Sequence, residues 1–296
     1  MADRKAHIFR DGGESKGLSV RKLMRNAGTY AILTLGALIA VAPFIWMIST
    51  SLMSIGEAQG VRFFPTEIHL ENYLLAWKEA QFAEYFINSV QITAITLAGQ
   101  LTFSVLAAYA FARIDFPGRD LIFGVLLSTL MIPAMVIIIP NFLTVTWLGR
   151  IGPIKWINNW PALTIPFMGS IFSIFLLRQF FAQIPDELFD AAQMDGAGHF
   201  RFLLTVVIPL AKAPLMVIVV LSFMGAWNAL AWPLLVTNSP DWRPIAVGLL
   251  NFVDEAGQML NLMMAGAVIT IIPILLIYFF TQKQFTESIA RSGLKG

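Results

Sequence analysis

The sequence has no cysteine, which excludes disulfides, thiolate catalysis and cysteine-ligated metal sites. Charge is scarce too, at 13% of residues against roughly 25% in an average globular chain. The three histidines, His7, His69 and His199, are too dispersed for a metal cluster or for a catalytic base with a carboxylate partner. No basic stripe interleaved with aromatics lies beyond the first 25 residues, so nucleic acid is not an expected partner. The abundant component is hydrophobic side chain, 57% of 296 residues, arranged in long blocks between short polar pieces. A soluble domain of this length could not bury that much, so the pattern predicts one membrane domain whose main solvent is lipid.

A transmembrane helix takes about 20 mostly apolar residues. Reading at that length predicts an all-α integral membrane fold of about six spans, over residues 27–51, 86–112, 121–143, 161–181, 206–230 and 260–280. Residues 1–26 and 286–296 are expected to be tails, with the membrane domain over 27–285. Six spans put both termini on one side. A cytoplasmic placement keeps fifteen of the twenty lysines and arginines inside and leaves Arg62, Lys78, Arg150, Lys155 and Arg243 outside, in accord with the positive-inside rule. The first apolar run is much longer than the about 7 to 15 residues of a signal-peptide core and has no small-x-small cleavage site after it, so it is expected to stay in the mature protein. Pro43, Pro133, Pro140, Pro166, Pro214 and Pro273 fall inside the spans. They fit either ordinary membrane composition or bent helices around a pathway.

No Asp or Glu falls within a span, whereas ion-coupled transporters and proton pumps usually carry an intramembrane carboxylate or histidine. Two glycine-rich stretches fail as nucleotide sites. Leu18 stands where a phosphate-loop lysine belongs after Gly12 and Gly17, and Arg201 replaces the third glycine of a dinucleotide fingerprint after Gly196 and Gly198. Neither catalytic nor cofactor-binding nor metal residues are expected. The clustered groups of a membrane-embedded enzyme are missing as well. Uncharged polar residues do occur in the spans. Asn88, Gln91, Gln100, Ser104, Ser173 and Asn228 either hydrogen-bond between helices or line a path for a hydroxyl-rich solute. Trp227 and Trp232 fit an interfacial aromatic belt or a sugar-stacking surface.

Between the fourth and fifth spans, over residues 182–205, lies a polar loop with its own helix signals. Pro185, Asp186 and Glu187 favour a helix start, because proline fixes φ and acids sit well at the positive end of the dipole. Gly196 favours a stop. The predicted helix puts Leu188, Ala191 and Ala192 on one face and Asp195 a turn further on. It could lie on its own membrane domain or dock into a partner's groove.

The spacing Asp190-Ala191-Ala192, three residues, Gly196, nine residues, Val206-Val207-Ile208-Pro209 resembles the Glu-Ala-Ala signature of ABC importer permeases. Asp stands for Glu at 190, Val for Ile at 206 and Ile for Leu at 208, all conservative in charge or apolar character. Phe64-Pro65 with Asn72-Tyr73, Asn88-Ser89, the run from Ala108 to Arg113 with Phe116-Pro117-Gly118, and the ending Gly293-Leu294-Lys295-Gly296 resemble the carbohydrate branch, especially the smaller membrane subunit of maltose-type permeases. The resemblance implies a bacterial inner-membrane subunit working with a second homologous permease, two ATPase subunits that bind ATP and Mg, and an extracytoplasmic solute-binding protein. It implies ATPase-coupling roles for Glu187, Asp190, Ala191, Ala192, Met194, Asp195, Gly196, Ala197 and Pro209, and ATPase contacts at Gly293, Lys295 and Gly296. A sugar is the implied solute, with a polyol or glycerol phosphate ester, or an ion-coupled transporter of a polar solute, as the alternatives.

Overall fold

The computed structural model describes residues 20–60, 62–79, 81–254 and 257–293. The chain divides into two compact units, 1–47 and 48–296. Among its described residues the first unit is a single helix, most of α1 (Val20–Ser51). The apolar stretch Asn26–Ser51 holds 26 residues. At about 1.5 Å per residue that exceeds the roughly 30 Å of a hydrocarbon core, with room for tilt.

The second unit continues through α2 (Ile55–Ala58) and α3 (Glu71–Glu79) into α4 (Phe82–Arg113), then α5 (Arg119–Ser128) and α6 (Ala134–Ile151). Next come α7 (Trp160–Thr164), α8 (Ile171–Phe181) and the short α9 (Asp186–Met194). α10 (His199–Phe202) runs through a π-helical turn, Leu203–Val207, into α11 (Ile208–Leu210). α12 (Lys212–Trp227), α13 (Ala231–Val236), α14 (Ile245–Gly248), a minimal antiparallel hairpin of β1 (Val253–Asp254) and β2 (Gly257–Gln258), and α15 (Leu260–Gly293) complete it. The described residues hold five stretches long and apolar enough to cross a membrane, or six when the bent pair around Ala211 is one span. The fold is therefore the all-α membrane architecture the sequence predicts.

Three spans differ from the uniform apolar runs. The run 121–143 is two helices, because Pro133 has no N–H to give and holds Ile132 extended (φ −86°, ψ 120°); the crossing stretch is Ala134–Ile151. The run 161–181 is α7 and α8 joined by a 3₁₀ turn, Ile165–Phe167, that begins beside Pro166. The run 206–230 is bent by 81° at Ala211, between Pro209 and Pro214, so the membrane helix proper starts at Lys212. Pro43, Pro140 and Pro273 sit inside helices without ending them. Helix α1 begins at Val20, and α15 carries its helical backbone through to Gly293, so both run into the predicted tails.

α4 is the central post of the second unit, in contact with α3, α7, α8, α12 and α14. Its residues enter three separate cores: Phe82 and Tyr85 in one, Ile92 in the next, and Val105, Ala108 and Tyr109 in the third. Lipid is as apolar as the side chains, so helices associate in a bilayer through close fit and hydrogen bonds. Trp227 and Trp232 illustrate this. Both are buried, and their indole N–H groups donate to the carbonyls of Thr270 at 3.0 Å and Ala162 at 2.8 Å. The interfacial-belt reading of these two residues is therefore wrong; each joins two helices in the interior.

The connection from α1 to α4 is held by local polar pairs. Ser54 and Glu57 form a capping box, and Asn72 donates to the carbonyls of Ser51 and Met53 at 2.9 and 2.8 Å. Hydrogen bonds from the Thr66 hydroxyl and N–H hold the Glu57 carboxyl down at about 2. His69 Nδ1 lies 2.6 Å from a Glu71 carboxylate oxygen, which raises the imidazole above its ordinary value.

Candidate functional site

Helix α9 starts after Pro185 and ends in two bonds that only a left-handed residue permits. Gly196 takes φ +77°, its N–H donates to Gln193 at 2.9 Å, and the Ala197 N–H donates to Ala192 at 2.9 Å. This is a Schellman cap, which satisfies carbonyls a helix end otherwise leaves open. The inner face of α9 is Phe189 and Ala192, partly buried against the core shared by α4 and α8. The prediction grouped Leu188, Ala191 and Ala192 on one face. Instead Ala192 turns inward with Phe189 at i, i+3, while Leu188 and Ala191 are exposed. Glu187, Asp190, Met194 and Asp195 are exposed too, and Met194 reaches 90%.

Two side chains at the end of α4 grip this segment. The mostly buried Arg113 guanidinium donates to the carbonyls of Phe181, at 3.1 Å, and Ile184, and pairs with Asp186. Such charge-assisted bonds to a shared guanidinium fix both distance and direction. Higher on α4, the Tyr109 hydroxyl lies 2.9 Å from His199 Nδ1. The His199 ring stacks on Phe189 with centroids 4.6 Å apart, and Phe189 meets Phe202 edge-on at 5.1 Å. α9 and α10 are thus fastened to α4 by hydrogen bonds and ring contacts. Sequence reasoning passed over Tyr109, Arg113, Phe189 and His199 as a set. The run from Ala108 to Arg113 carried only a family resemblance, and a cation in the last turn of a span was a further signal, since Arg113 suits the negative end of the helix dipole.

A cavity of about 400 Å³ lies beside the middle of α4, with walls from α4, α8, α12, α13 and the break between α7 and α8. α4 supplies Ile92, Thr96 and Gln100 at helical spacing. Gln100 Nε2 donates to Ser173 Oγ at 3.1 Å, and Ser173 Oγ donates to Ser170 Oγ at 2.9 Å. Ser170 also caps α8, accepting from the Ser173 N–H. Phe167 and Trp232, in edge-to-face contact at 5.7 Å, form part of the apolar wall. Gly99 lets the α7–α8 break come this close, because a Cβ there would meet Met168 Cγ at 2.5 Å.

The predicted path residues separate accordingly. Gln100 and Ser173 meet in the cavity wall. Asn88 is buried and donates to the carbonyls of Asp241 and Arg243, bracing the connection before α14. Ser104 is fully buried outside the wall, and Gln91 and Asn228 are exposed and also outside it. Pro209 sits in α11 beside the bend. Gly293 is the last described residue of α15, and Lys295 and Gly296 lie outside the described residues.

A family model described as binding-protein-dependent transport system inner membrane component matches residues 73–291. A diacetylchitobiose uptake system permease protein of Streptomyces coelicolor is 29% identical over 272 residues, covering 90% of this chain and 88% of that protein. An arabinooligosaccharides transport system permease protein of Halalkalibacterium halodurans is 31% identical over 276 residues, covering 90% and 96%. Among solved structures, a chain of a bacterial ABC transporter involved in import of the acidic polysaccharide alginate superposes with a TM-score of 0.78. It is 27% identical, and the match covers 90% of this chain and 98% of that one.

Proposed function

The chain belongs to the family of inner membrane components of binding-protein-dependent transport systems, and from that premise we infer that it forms half of a carbohydrate pathway driven by ATP hydrolysed on separate subunits. It is a multi-pass inner-membrane permease subunit of an ABC importer. The observation that carries the inference is that one helix serves both regions: α4 is gripped by α9 and α10 at Tyr109 and Arg113 and lines the cavity at Gln100. Nine residues separate Gln100 from Tyr109, about 14 Å of helix at 1.5 Å per residue. A push on α9 therefore reaches the cavity through a rigid element.

With both termini in the cytoplasm, α9 faces the compartment that holds ATP. Its exposed face, Glu187, Asp190, Ala191 and Met194, followed by Asp195, Gly196 and Ala197, is the surface offered to an ATPase subunit. Ala191 admits close approach, and a methionine exposed to 90% adapts to a groove. Gly293, Lys295 and Gly296 are a second contact to the ATPases, which hold ATP and Mg. A second homologous permease supplies the other half of the path, and an extracytoplasmic binding protein delivers the solute. The sugar-named relatives and a cavity with neutral polar groups and aromatic walls support a carbohydrate.

The test is Asp190→Lys in the complete transporter reconstituted in proteoliposomes. Inverting the charge on the docking face should lower ATP-driven uptake about tenfold, the equivalent of about 1.4 kcal/mol, with the subunit still in the membrane and ATP still hydrolysed. Unchanged uptake with normal ATPase association would refute the assignment of α9.

A further inference from the structure

The lining of the cavity bears on the kind of solute it can hold. None of its wall residues is Asp, Glu, Lys, Arg or His. Arg178 and Arg243, close along the chain to wall residues Ser173 and Pro244, are not in the wall, and the Arg178 guanidinium lies 4.3 Å over the Phe123 ring. Three of the polar wall residues form a neutral rail, and Thr96 and Ser222 are the wall's other neutral polar side chains. Gln100 donates to Ser173, Ser173 donates to Ser170, and both Gln100 and Ser170 keep accessible surface. That geometry leaves the Gln100 carbonyl oxygen as an acceptor and the Ser170 hydroxyl as a donor for a solute. Trp232 has its N–H committed to Ala162, so it presents only apolar ring to the cavity, as Phe167 and Phe172 do.

Neutral hydrogen-bonding groups beside several apolar surfaces match a neutral saccharide, whose ring has hydroxyls at its rim and C–H groups on its faces. A carboxylate or phosphate here would leave water for a wall in which this chain supplies no compensating cation, which is strongly unfavourable. We propose that this chain itself binds the solute at Gln100, Ser173 and Ser170, and that the site selects neutral saccharides against anionic ones. The proposal rests on the carbohydrate reading above and narrows it. The structural neighbour, by contrast, belongs to a transporter involved in importing an acidic polysaccharide.

The experiment is equilibrium dialysis of radiolabelled probes against the complete transporter in nanodiscs, without binding protein, so that only the membrane site is measured. The neutral probes are diacetylchitobiose and an arabinooligosaccharide; the anionic probe is an alginate trisaccharide. We expect retention of a neutral probe and none of the anionic one, with retention about tenfold weaker in Gln100→Leu and in Ser170→Ala. Gln100→Arg should admit the anionic probe. Wild-type retention of alginate equal to that of the neutral probes overturns the proposal. So does neutral binding indifferent to both variants, or no retention of any probe. ATP-driven saccharide uptake by the wild type with its binding protein, measured in parallel, separates the two readings: if uptake persists, the carbohydrate-importer reading stands when the site fails, and its absence removes both.

Discussion

Near Arg113, α4 is held by charge, hydroxyl and stacked rings; near Gln100, the same helix meets only neutral groups. The first region has an exposed acidic helix ended by a left-handed glycine, and its contacts join segments close to the α8–α10 connection. The second is assembled from five separate elements, two of them interrupted or bent beside prolines. The difference fits the roles proposed for the two regions. A docking segment at the membrane surface can use charge because water screens it, whereas a charge stranded in a solute path inside lipid would be costly.

The largest way to break this contrast is Gly196→Pro. Proline fixes φ near −65° where the glycine holds +77°, and it removes the N–H bonded to Gln193. A local cost of about 3 kcal/mol or more should abolish uptake while the cavity still binds its probe. Because the chain has no cysteine of its own, Met194→Cys gives a clean cross-linking report on ATPase contact, and that cross-link should be lost in the proline variant. Persistence of both uptake and cross-link would show the cap to be dispensable.

A finer comparison pairs Tyr109→Phe with Trp232→Phe, each deleting one side-chain hydrogen bond worth about 1 kcal/mol. Tyr109→Phe should raise the ATP consumed per solute imported and leave solute affinity alone. Trp232→Phe should weaken solute affinity and leave that ratio alone. Reversed effects would mean that the α9 contact and the cavity do not divide coupling from binding.

The smallest expected effect lies outside both regions, in the α1–α4 connection. Glu57 has its carboxyl lowered from 4.5 to about 2, so its stabilising bonds to Thr66 are complete above about 4.5 and are lost as pH falls through about 2. His69 is raised above 6.5, so its pairing with Glu71 contributes fully below 6.5 and fades as pH climbs through the raised value. Hydrogen exchange over residues 52–79 should quicken at both limits and stay level for α9. Thr66→Val should move the acid limb upward, and an unchanged acid limb would remove the Thr66 bonds as its cause.

The span count, the position of α9 and its glycine stop were legible because each rests on local chemistry: apolar length, acids after a proline, one residue that accepts positive φ. The breaks at Pro133, beside Pro166 and at Ala211 were less so, since Pro43, Pro140 and Pro273 lie inside helices that continue. Whether a proline bends or breaks a helix depends on what neighbouring elements offer its freed carbonyl. The division of the polar span residues was not legible either. Asn88 and Gln100 look alike in sequence, yet one braces a loop and the other lines a cavity.

By itself the sequence determined that this protein lives in lipid, that its charges gather in a few loops, and that one loop carries a short acidic helix with a fixed end. Those properties belong to residues and their immediate neighbours. Only the tertiary structure decided that Tyr109 and His199, ninety positions apart, would meet, that Ala192 would turn inward while Ala191 stayed out, and that Gln100 would find Ser173. Contacts of that kind depend on the rotation and bend of whole helices, which close fit between helices sets and local propensity does not.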